Sequence, residues 1–332
     1  MDAPDALASL LVTGERAAFH GRPAAAVTAL EQAVALARTQ DRAAERSAAG
    51  WLLGVALGAE GRYGGALTVL SPLVDAGRAA GAGAEPRLFA ALSAATIASV
   101  HRQLGRHAVA RASDLEALAL SEGSDEAAFD AVLGLASDAV GLGELDEATA
   151  RLAEAERLVP PRADEWWRQC VRLGWAAAEV SLLDGDPDAA VGTALEAVDR
   201  ADRARAPRHV AKGLLILGLA QVSGGTIPDP VPAPAGHAAP DGAAPGARGA
   251  LDAGPAGTLR RAATLAESLG TLPLVWPSRA LLGALVADQD REESARSLSA
   301  ARSAVLAIAG DLPPGVRAEF LGRPDLAALL QD

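Results

Sequence analysis

Cysteine, lysine and asparagine are almost missing from this chain of 332 residues. Cys170 is its one cysteine and Lys212 its one lysine, and asparagine does not occur at all. A single cysteine excludes an internal disulfide, so the sequence favours a reducing, cytoplasmic compartment. We expect Cys170 to be a small buried hydrophobe rather than a reactive thiol.

Aromatic residues are also scarce, at 3% of the chain, although 50% of the residues are hydrophobic. The apolar content is therefore mostly aliphatic side chains and alanine. Alanine and leucine are strong helix formers, whereas the β-branched and aromatic residues that favour strands are sparse here. The composition predicts an all-α fold.

Three further absences limit the partners. The formal net charge is −12, and because nucleic-acid binding needs a basic stripe, we expect no nucleic-acid partner. No stretch approaches the ~20 apolar residues of a membrane span, so we expect no membrane insertion. The first residues, MDAPDALASLL, are acidic and lack the positive region of a secretory signal.

What the chain does contain is an internal repeat. Short turn signals begin at Gly21, Gly61, Gly105, Gly143 and Gly185, and the spacings between these glycines are 40, 44, 38 and 42 residues. Each glycine follows one helical stretch and opens another, which predicts a helical hairpin repeated in tandem. The glycine supplies the C-terminal cap of the first helix and the tight turn.

A second register runs through the helices that follow these turns. An alanine stands five residues after each glycine, and another small or apolar residue follows seven positions further on. Small side chains at such positions allow two helices to approach at the near end of the usual separation of about 8–10 Å. These residues are Ala26, Ala66, Ala110, Ala148 and Ala190, followed by Ala33, Leu73, Ala117, Ala155 and Ala197.

This pattern resembles the tetratricopeptide repeat, most clearly in the stretch LGVALGAEGRYGGAL. In it, Leu53 and Gly54 take their family places in the first helix, Gly61 and Tyr63 lie at the turn, and Ala66 lies in the second helix. The period of about 40 residues is longer than the family's usual ~34. HEAT-like repeats share the longer period but would not explain the Gly-x-[Tyr/Pro]-x-x-Ala turn.

The resemblance implies a right-handed α-α superhelical solenoid of about seven tetratricopeptide-like hairpins. It also implies a concave groove that binds a peptide or a protein segment. The long period is similar to that of the repeat arms of large bacterial regulators.

A proline-rich stretch, residues 226–257, interrupts the sixth repeat. The first helix of that repeat carries the leucine-glycine pair of the family at Leu217 and Gly218, and its turn glycine is Gly225. The second helix, TLRRAATLAESLG, begins only after the stretch, and a seventh hairpin follows it. We therefore predict one solenoid over residues 1–310, in which 226–257 is a disordered insertion that is either a lid over the groove or an inert loop.

The last residues, GVRAEFLGRPDLAALLQD, predict a helix within 311–332 that caps the apolar face of the final repeat. They resemble the closing segment of the tetratricopeptide arms of bacterial signal-transduction ATPases and LuxR-type regulators. The residues that carry this resemblance are Arg317, Phe320, Leu321, Arg323, Pro324 and Asp325.

No catalytic motif is present. The chain lacks Gly-x-Ser-x-Gly and His-Glu-x-x-His, and glycine follows its single lysine, which excludes a Gly-Lys-Ser/Thr phosphate loop. His101 and His107 are six residues apart across a predicted turn, which does not suit a shared metal. We expect no enzymatic activity, no cofactor and no metal.

The family register predicts which residues of the first helices line the concave groove. In repeats five and six it brings four cations together around Trp175, which suits an acidic peptide or a C-terminal carboxylate. The alternative is that Arg168 and Arg172 pair with neighbouring acids and that Trp175 packs between repeats. The predicted partner-binding residues are Trp51, Arg168, Arg172, Trp175, Arg208, His209 and Lys212.

Two functional hypotheses follow. The chain is a non-enzymatic scaffold that binds a peptide or a protein segment in its groove. Alternatively, it is the regulatory arm of a transcriptional or signal-transduction ATPase system, free-standing or split, whose ligand changes the superhelical curvature. The sequence leaves the identity of the partner and the oligomeric state open.

Overall fold

The computed structural model describes residues 5–160, 165–226 and 254–331, and in these ranges the chain forms sixteen α-helices and no strand. The prediction of an all-α fold is confirmed. The helices are α1 (Ala6–His20), α2 (Pro23–Thr39), α3 (Ala43–Glu60), α4 (Tyr63–Arg78), α5 (Ala84–Gln103), α6 (His107–Leu120), α7 (Asp125–Leu142), α8 (Leu145–Leu158), α9 (Trp167–Leu183), α10 (Pro187–Arg203), α11 (Pro207–Val222), α12 (Gly254–Leu269), α13 (Leu272–Leu285), α14 (Arg291–Gly310), α15 (Pro314–Leu321) and α16 (Pro324–Leu330).

Consecutive helices pack against each other and form seven hairpins, from α1/α2 to α13/α14. The odd-numbered helices make the inner layer, and they supply most of the side chains around the central cavity. The even-numbered helices make the outer layer. The predicted helical-repeat solenoid of seven hairpins is confirmed.

Glycine lies at the turns of the first six hairpins, as predicted, but two of these turns differ in detail, and the seventh turn, residues 286–290, contains no glycine. Gly21 has an extended backbone with φ −131°. In the sixth hairpin Gly224, with φ 105°, takes the left-handed conformation that we expected at Gly225. The other four predicted turn glycines lie in the left-handed region that favours glycine: Gly61, Gly105, Gly143 and Gly185, with φ of 87°, 77°, 75° and 81°.

Small residues allow the two helices of a hairpin to approach closely. The five alanines that follow the turn glycines by five residues are fully buried. The family glycine of the first helix receives a leucine from the second helix: a Cβ added to Gly218 would lie 2.6 Å from Leu259 Cδ2, and one added to Gly283 would lie 2.8 Å from Leu298 Cγ. A larger residue at these glycines would therefore push the two helices of a hairpin apart.

The helices of the sixth hairpin, α11 and α12, pack on each other although residues 223–253 separate them along the chain. Most of the predicted insertion, 226–257, falls on residues 227–253, which lie outside the described residues. Residues 254–257 were expected to belong to the insertion, but they form the first turn of α12. Proline is tolerated in the first helical turn, where its missing N–H leaves no bond unmade, so Pro255 does not prevent this start.

The solenoid closes on itself because the seventh hairpin lies against the second. Thr271 Oγ1 donates a buried hydrogen bond of 2.6 Å to the carbonyl oxygen of Ala59. The backbone N–H of Gly65 donates to Asp311 Oδ2 at 3.1 Å. The hairpins therefore surround the concave surface, which the sequence did not predict.

The tail is not the single capping helix that we predicted within 311–332. It forms two short helices, α15 and α16, which begin at Pro314 and Pro324. Proline inside a helix removes a backbone hydrogen bond and clashes with the preceding turn, which favours a break before Pro324, although α4 and α13 continue through Pro72 and Pro277.

The two tail helices contribute to a core that they share with the N-terminal hairpins. Phe320 and Leu326 are buried in a cluster that also contains Leu104 from the third hairpin. Arg323, between α15 and α16, donates a hydrogen bond of 2.9 Å to the carbonyl oxygen of Gln103. The tail thus holds the last hairpin against the earlier ones.

Candidate functional site

The inner helices surround a cavity of about 540 Å³. The first helices of all seven hairpins line it, and Arg323 from the tail adds to the wall. A volume in this range is typical of pockets that bind small ligands or short segments of chain. All seven residues predicted from the repeat register line this one cavity: Trp51, Arg168, Arg172, Trp175, Arg208, His209 and Lys212.

The cavity wall carries an excess of positive charge within an acidic chain. Among the described residues, six cationic side chains line it and only two carboxylates do. Low-dielectric walls focus such a field and attract anions. The cations are Arg102, Arg168, Arg172, Arg208, Lys212 and Arg323, and the carboxylates are Asp130 and Glu179.

Arg168 and Arg172 of α9 share the carboxylate of Asp130, which projects from α7. Arg172 Nη1 donates to Asp130 Oδ1. Arg168 Nη2 lies 2.9 Å from Glu126 Oε1 and 3.5 Å from Asp130 Oδ2. Burial opposes ionisation of Asp130, but Arg172 and Arg168 outweigh burial and hold its pKa below the usual value. Arg168 and Arg172 therefore pair with neighbouring acids, which is the alternative that the sequence left open for them.

Arg208 differs from the other cations because no carboxylate in the described ranges pairs with it. It stands in the first turn of α11, and its Nε is buried without a hydrogen-bond partner. Burial, together with Arg168 and Arg172, lowers the pKa of its guanidinium to about 10. It therefore remains charged at neutral pH. One turn further along α11, Lys212 Nζ does have an acidic partner, Glu179 Oε1 at 3.0 Å.

His209 is enclosed by two tryptophans. Its ring stacks on Trp175 with centroids 5.4 Å apart, and it meets Trp167 edge-on at 5.1 Å. Only 2% of His209 is exposed, and its Nδ1 has no hydrogen-bond partner among the described residues. Burial and then the neighbouring Arg208 lower its pKa well below the usual value, so the ring is neutral.

Trp51 lies on another part of the wall, where its Nε1 donates to Thr96 Oγ1 at 3.2 Å. Trp276 of α13 and Arg323 of the tail also line the cavity, and the repeat register did not predict either of them. Arg323 lies over the Trp276 ring, with its Cζ 5.9 Å from the centroid. Phe19 of α1 lines the wall as well. Phe19 stands two residues before its turn glycine, and Ala59, Gln103 and Gly141 line the cavity from the same position in the next three repeats.

A second buried charge cluster lies on α5, α6 and α7. Arg102 Nη1 donates to Asp114 and, at 3.1 Å, to Asp138 Oδ1. Both carboxyl side chains are fully buried. Burial raises the pKa of Asp114 well above the usual value and also raises that of Asp138, although Arg102 opposes the change. Here one guanidinium serves two carboxyl groups, whereas Asp130 is contacted by two guanidiniums, of which Arg168 also pairs with Glu126.

None of the helices in the described part of the chain is long and apolar enough to cross a membrane. Across the same ranges, no three His, Cys, Asp or Glu side chains could hold a metal ion together. Cys170 is half-buried rather than fully buried, and burial raises the pKa of its thiol, which does not favour the reactive thiolate.

No protein-family model matches the chain, and no curated protein matches it. Among solved structures, the chain is similar to the Rap conjugation gene regulator of the plasmid pLS20, which was solved in complex with the Phr* peptide. The TM-score is 0.64 at 16% sequence identity, and the match covers 96% of this chain and 77% of that chain. At this identity the likeness shows the fold alone, a solenoid of helical-repeat hairpins.

Proposed function

We propose that this chain binds a peptide, or an extended segment of a protein, in its central cavity and performs no catalysis there. The observation that carries the proposal is the central cavity of about 540 Å³, which the first helices of all seven hairpins line and in which positive charge is in excess. The similar Rap structure, a regulator in complex with a peptide, supports the same function.

The wall provides the kinds of contact that anchor peptides. Trp51, Trp175 and Trp276 line it with large and rigid apolar surfaces, and cations lie among them. Buried aromatic and arginine side chains carry most of the binding energy in typical interfaces. Because these residues stand on packed helices, the site is largely formed before a ligand arrives, which lowers the entropic cost of binding.

The paired state of the carboxylates argues against acid–base catalysis. Asp130 accepts from two arginines and Glu179 accepts from Lys212, so neither carboxylate is available as a base. The buried His209 stacks between tryptophans and has no carboxylate to orient it. We therefore propose a binding protein rather than an enzyme.

A regulatory role is the second candidate, and the position of Arg323 favours it. This side chain lines the cavity, and its guanidinium also binds the carbonyl oxygen of Gln103 where the tail closes the solenoid. A ligand that contacts Arg323 would therefore act on the closure. In this candidate the ligand changes the curvature of the superhelix, which is what the resemblance of the repeats and the tail to regulatory arms implies.

A variant that fills the cavity tests the binding function. Ser99 is exposed on the inner face of α5 and lines the cavity, so Ser99→Trp adds a large ring there without disturbing the core. The matched control is Ser303→Trp on α14, an exposed serine that does not line the cavity. The probe is a pool of short synthetic peptides of mixed sequence, with capture measured by mass spectrometry.

We expect the wild-type chain and Ser303→Trp to capture the same peptides and Ser99→Trp to lose them. Equal capture by all three proteins would show that the cavity is not the binding site. For the regulatory candidate, hydrogen exchange of α15 and α16 should change when a captured peptide is added. Unchanged exchange there would refute coupling to the closure.

A further inference from the structure

The corner of the cavity around Arg208 holds more positive charge than its acids balance. Three guanidiniums, those of Arg168, Arg172 and Arg208, face two carboxylates, those of Glu126 and Asp130. Glu126 lies at the rim with half of its side chain exposed, so solvent screens it. Among the described residues, the positive charge of Arg208, whose Nε is buried, is left without a counter-ion.

The start of α11 adds to this charge. Its N-cap, Ala206, has no side-chain acceptor, and Pro207 occupies the first helical position. An uncapped helix N-terminus carries a partial positive charge that favours anions. Arg208 is the next residue, and its side chain also lines the cavity.

His209 supplies an independent indication that a ligand belongs here. This ring lines the cavity, is almost completely buried, and leaves Nδ1 without a partner. Buried polar groups are normally hydrogen-bonded, because an unmet one costs about 1–3 kcal/mol. A neutral imidazole has one N–H, which can donate to an anion beside the Arg208 guanidinium.

We propose that this corner is a carboxylate subsite of the peptide cavity, in which Arg208 and the ring N–H of His209 bind one carboxylate of the bound peptide. The proposal rests on the proposed function of the cavity. It goes further by naming the ligand group and the two residues that recognise it.

A carboxylate fits this corner better than a phosphate group does. The surplus is a single positive charge, which one carboxylate neutralises, whereas a phosphate monoester carries about −1.5 to −2 charges. Arginine also presents a planar fork that matches the planar carboxylate. The carboxylate comes either from the C-terminus of the peptide or from an aspartate or glutamate side chain.

Three peptide pools of otherwise identical composition separate these sources. The first has free C-termini and contains Asp and Glu, the second has amidated C-termini and contains Asp and Glu, and the third has amidated C-termini and only Asn and Gln in their place. A fourth pool, amidated and with phosphoserine instead of Asp and Glu, tests the phosphate alternative. Each pool is presented to the wild-type chain, Arg208→Gln, Arg208→Lys and the control Arg38→Gln, whose arginine is exposed on α2 away from the cavity.

We expect the wild-type chain to discriminate against the third pool, and Arg208→Gln to bind acidic peptides about tenfold to a hundredfold more weakly. Arg208→Lys should recover part of this loss, and Arg38→Gln should bind like the wild type. If the first pool is captured and the second is not, the bound carboxylate is the C-terminus of the peptide. If both pools are captured equally, it is an aspartate or glutamate side chain. Preference for the fourth pool would overturn the carboxylate assignment.

The failure of this subsite is distinguishable from the failure of the proposed function. If the wild-type chain captures all pools equally and Arg208→Gln changes nothing, the carboxylate subsite is wrong while peptide binding stands. If no pool is captured by any protein, the binding function itself fails, and the subsite fails with it. Thermal unfolding of Arg208→Gln provides the folding control, since removal of an unpaired cation should not lower stability.

Discussion

Asp130 holds the inner wall of the cavity together, and its replacement by asparagine provides a direct measure of that role. Its side chain is only 8% exposed and accepts hydrogen bonds from Arg172 and Arg168 on the next inner helix. Asp130→Asn keeps the shape of the side chain but removes the negative charge. Two buried guanidiniums then lose the carboxylate that they share.

The expected loss follows from the cost of leaving a buried charge without its partner. Removing one member of a buried ion pair typically lowers the free energy of unfolding by about 3–5 kcal/mol. Here Arg168 keeps Glu126 at 2.9 Å, so only Arg172 is left without any carboxylate. We therefore expect a loss near the lower limit, about 3 kcal/mol.

Equilibrium denaturation in urea measures this loss, and Asp75→Asn on α4 is the matched control. Asp75 pairs with Arg78 at 2.8 Å, but its side chain is 70% exposed. Exposed pairs contribute about 0–1 kcal/mol, so the control should lose no more than that. If both variants lost the same amount, the inner-wall charges would not stabilise the fold and the argument would be refuted.

The same comparison has a pH dependence with a defined sign. The pKa of Asp130 is lower in the folded chain than in the unfolded chain. Its contribution to stability is therefore complete above the unfolded pKa of about 4 and is lost as the pH falls through the lower folded pKa. The difference between wild type and Asp130→Asn should shrink below about pH 4, and a constant difference would contradict this assignment of charge.

Two further predictions concern the second charge cluster and the closure of the solenoid. Asp114→Asn should not lower the free energy of unfolding at neutral pH. Burial raises the pKa of Asp114 even beside Arg102, so ionisation of that carboxyl group opposes folding. A loss above about 1 kcal/mol in urea denaturation would refute this expectation. Gly64→Ala should lower the free energy of unfolding by about 1–3 kcal/mol, because the new Cβ would clash with the Asp311 carbonyl oxygen. The neighbouring change Gly65→Ala should raise the free energy of unfolding by about 0.5–1 kcal/mol, because its Cβ makes only ordinary contacts and alanine is favoured over glycine in a helix.

The inner face of the solenoid could be predicted from the sequence because the turn glycines fix the register of each first helix. The residue ten positions before the turn glycine lines the cavity in five repeats, and the residue six positions before it does so in four. These two sets are Trp51, Ala95, Leu133, Trp175 and Leu215, and Val55, Ser99, Ser137 and Glu179.

Asp130 was missed although the same register places it. It stands thirteen residues before Gly143, as Arg172 stands thirteen residues before Gly185. Carrying the register through the fourth repeat would have found the acid that faces the predicted arginines. The GRPDL stretch also favours a break between two tail helices, because proline is tolerated better in the first turn of a helix than in its interior.

The closure of the solenoid could not be predicted in this way. Curvature accumulates from small rotations between neighbouring hairpins, and no single residue encodes those rotations. The contact between Thr271 and Ala59 joins positions 212 residues apart in the chain. Trp276 and Arg323 therefore join the cavity wall because the rotations between seven hairpins add up. The position of a residue relative to its own turn glycine does not reveal such contacts between distant hairpins.

Arg172 and Arg208 appear equivalent in the sequence, but the structure separates them by what they do for the fold. Arg172 balances Asp130, so its loss would weaken the wall and confound any binding measurement. Arg208 balances nothing and lies beside two other guanidiniums that lower its pKa. Its replacement should therefore leave the fold as stable or more stable while binding weakens, which is the trade-off expected of a residue kept for function rather than stability. A variant that is stable but no longer binds would identify Arg208 as part of the binding site, whereas loss of both stability and binding would assign it to the scaffold.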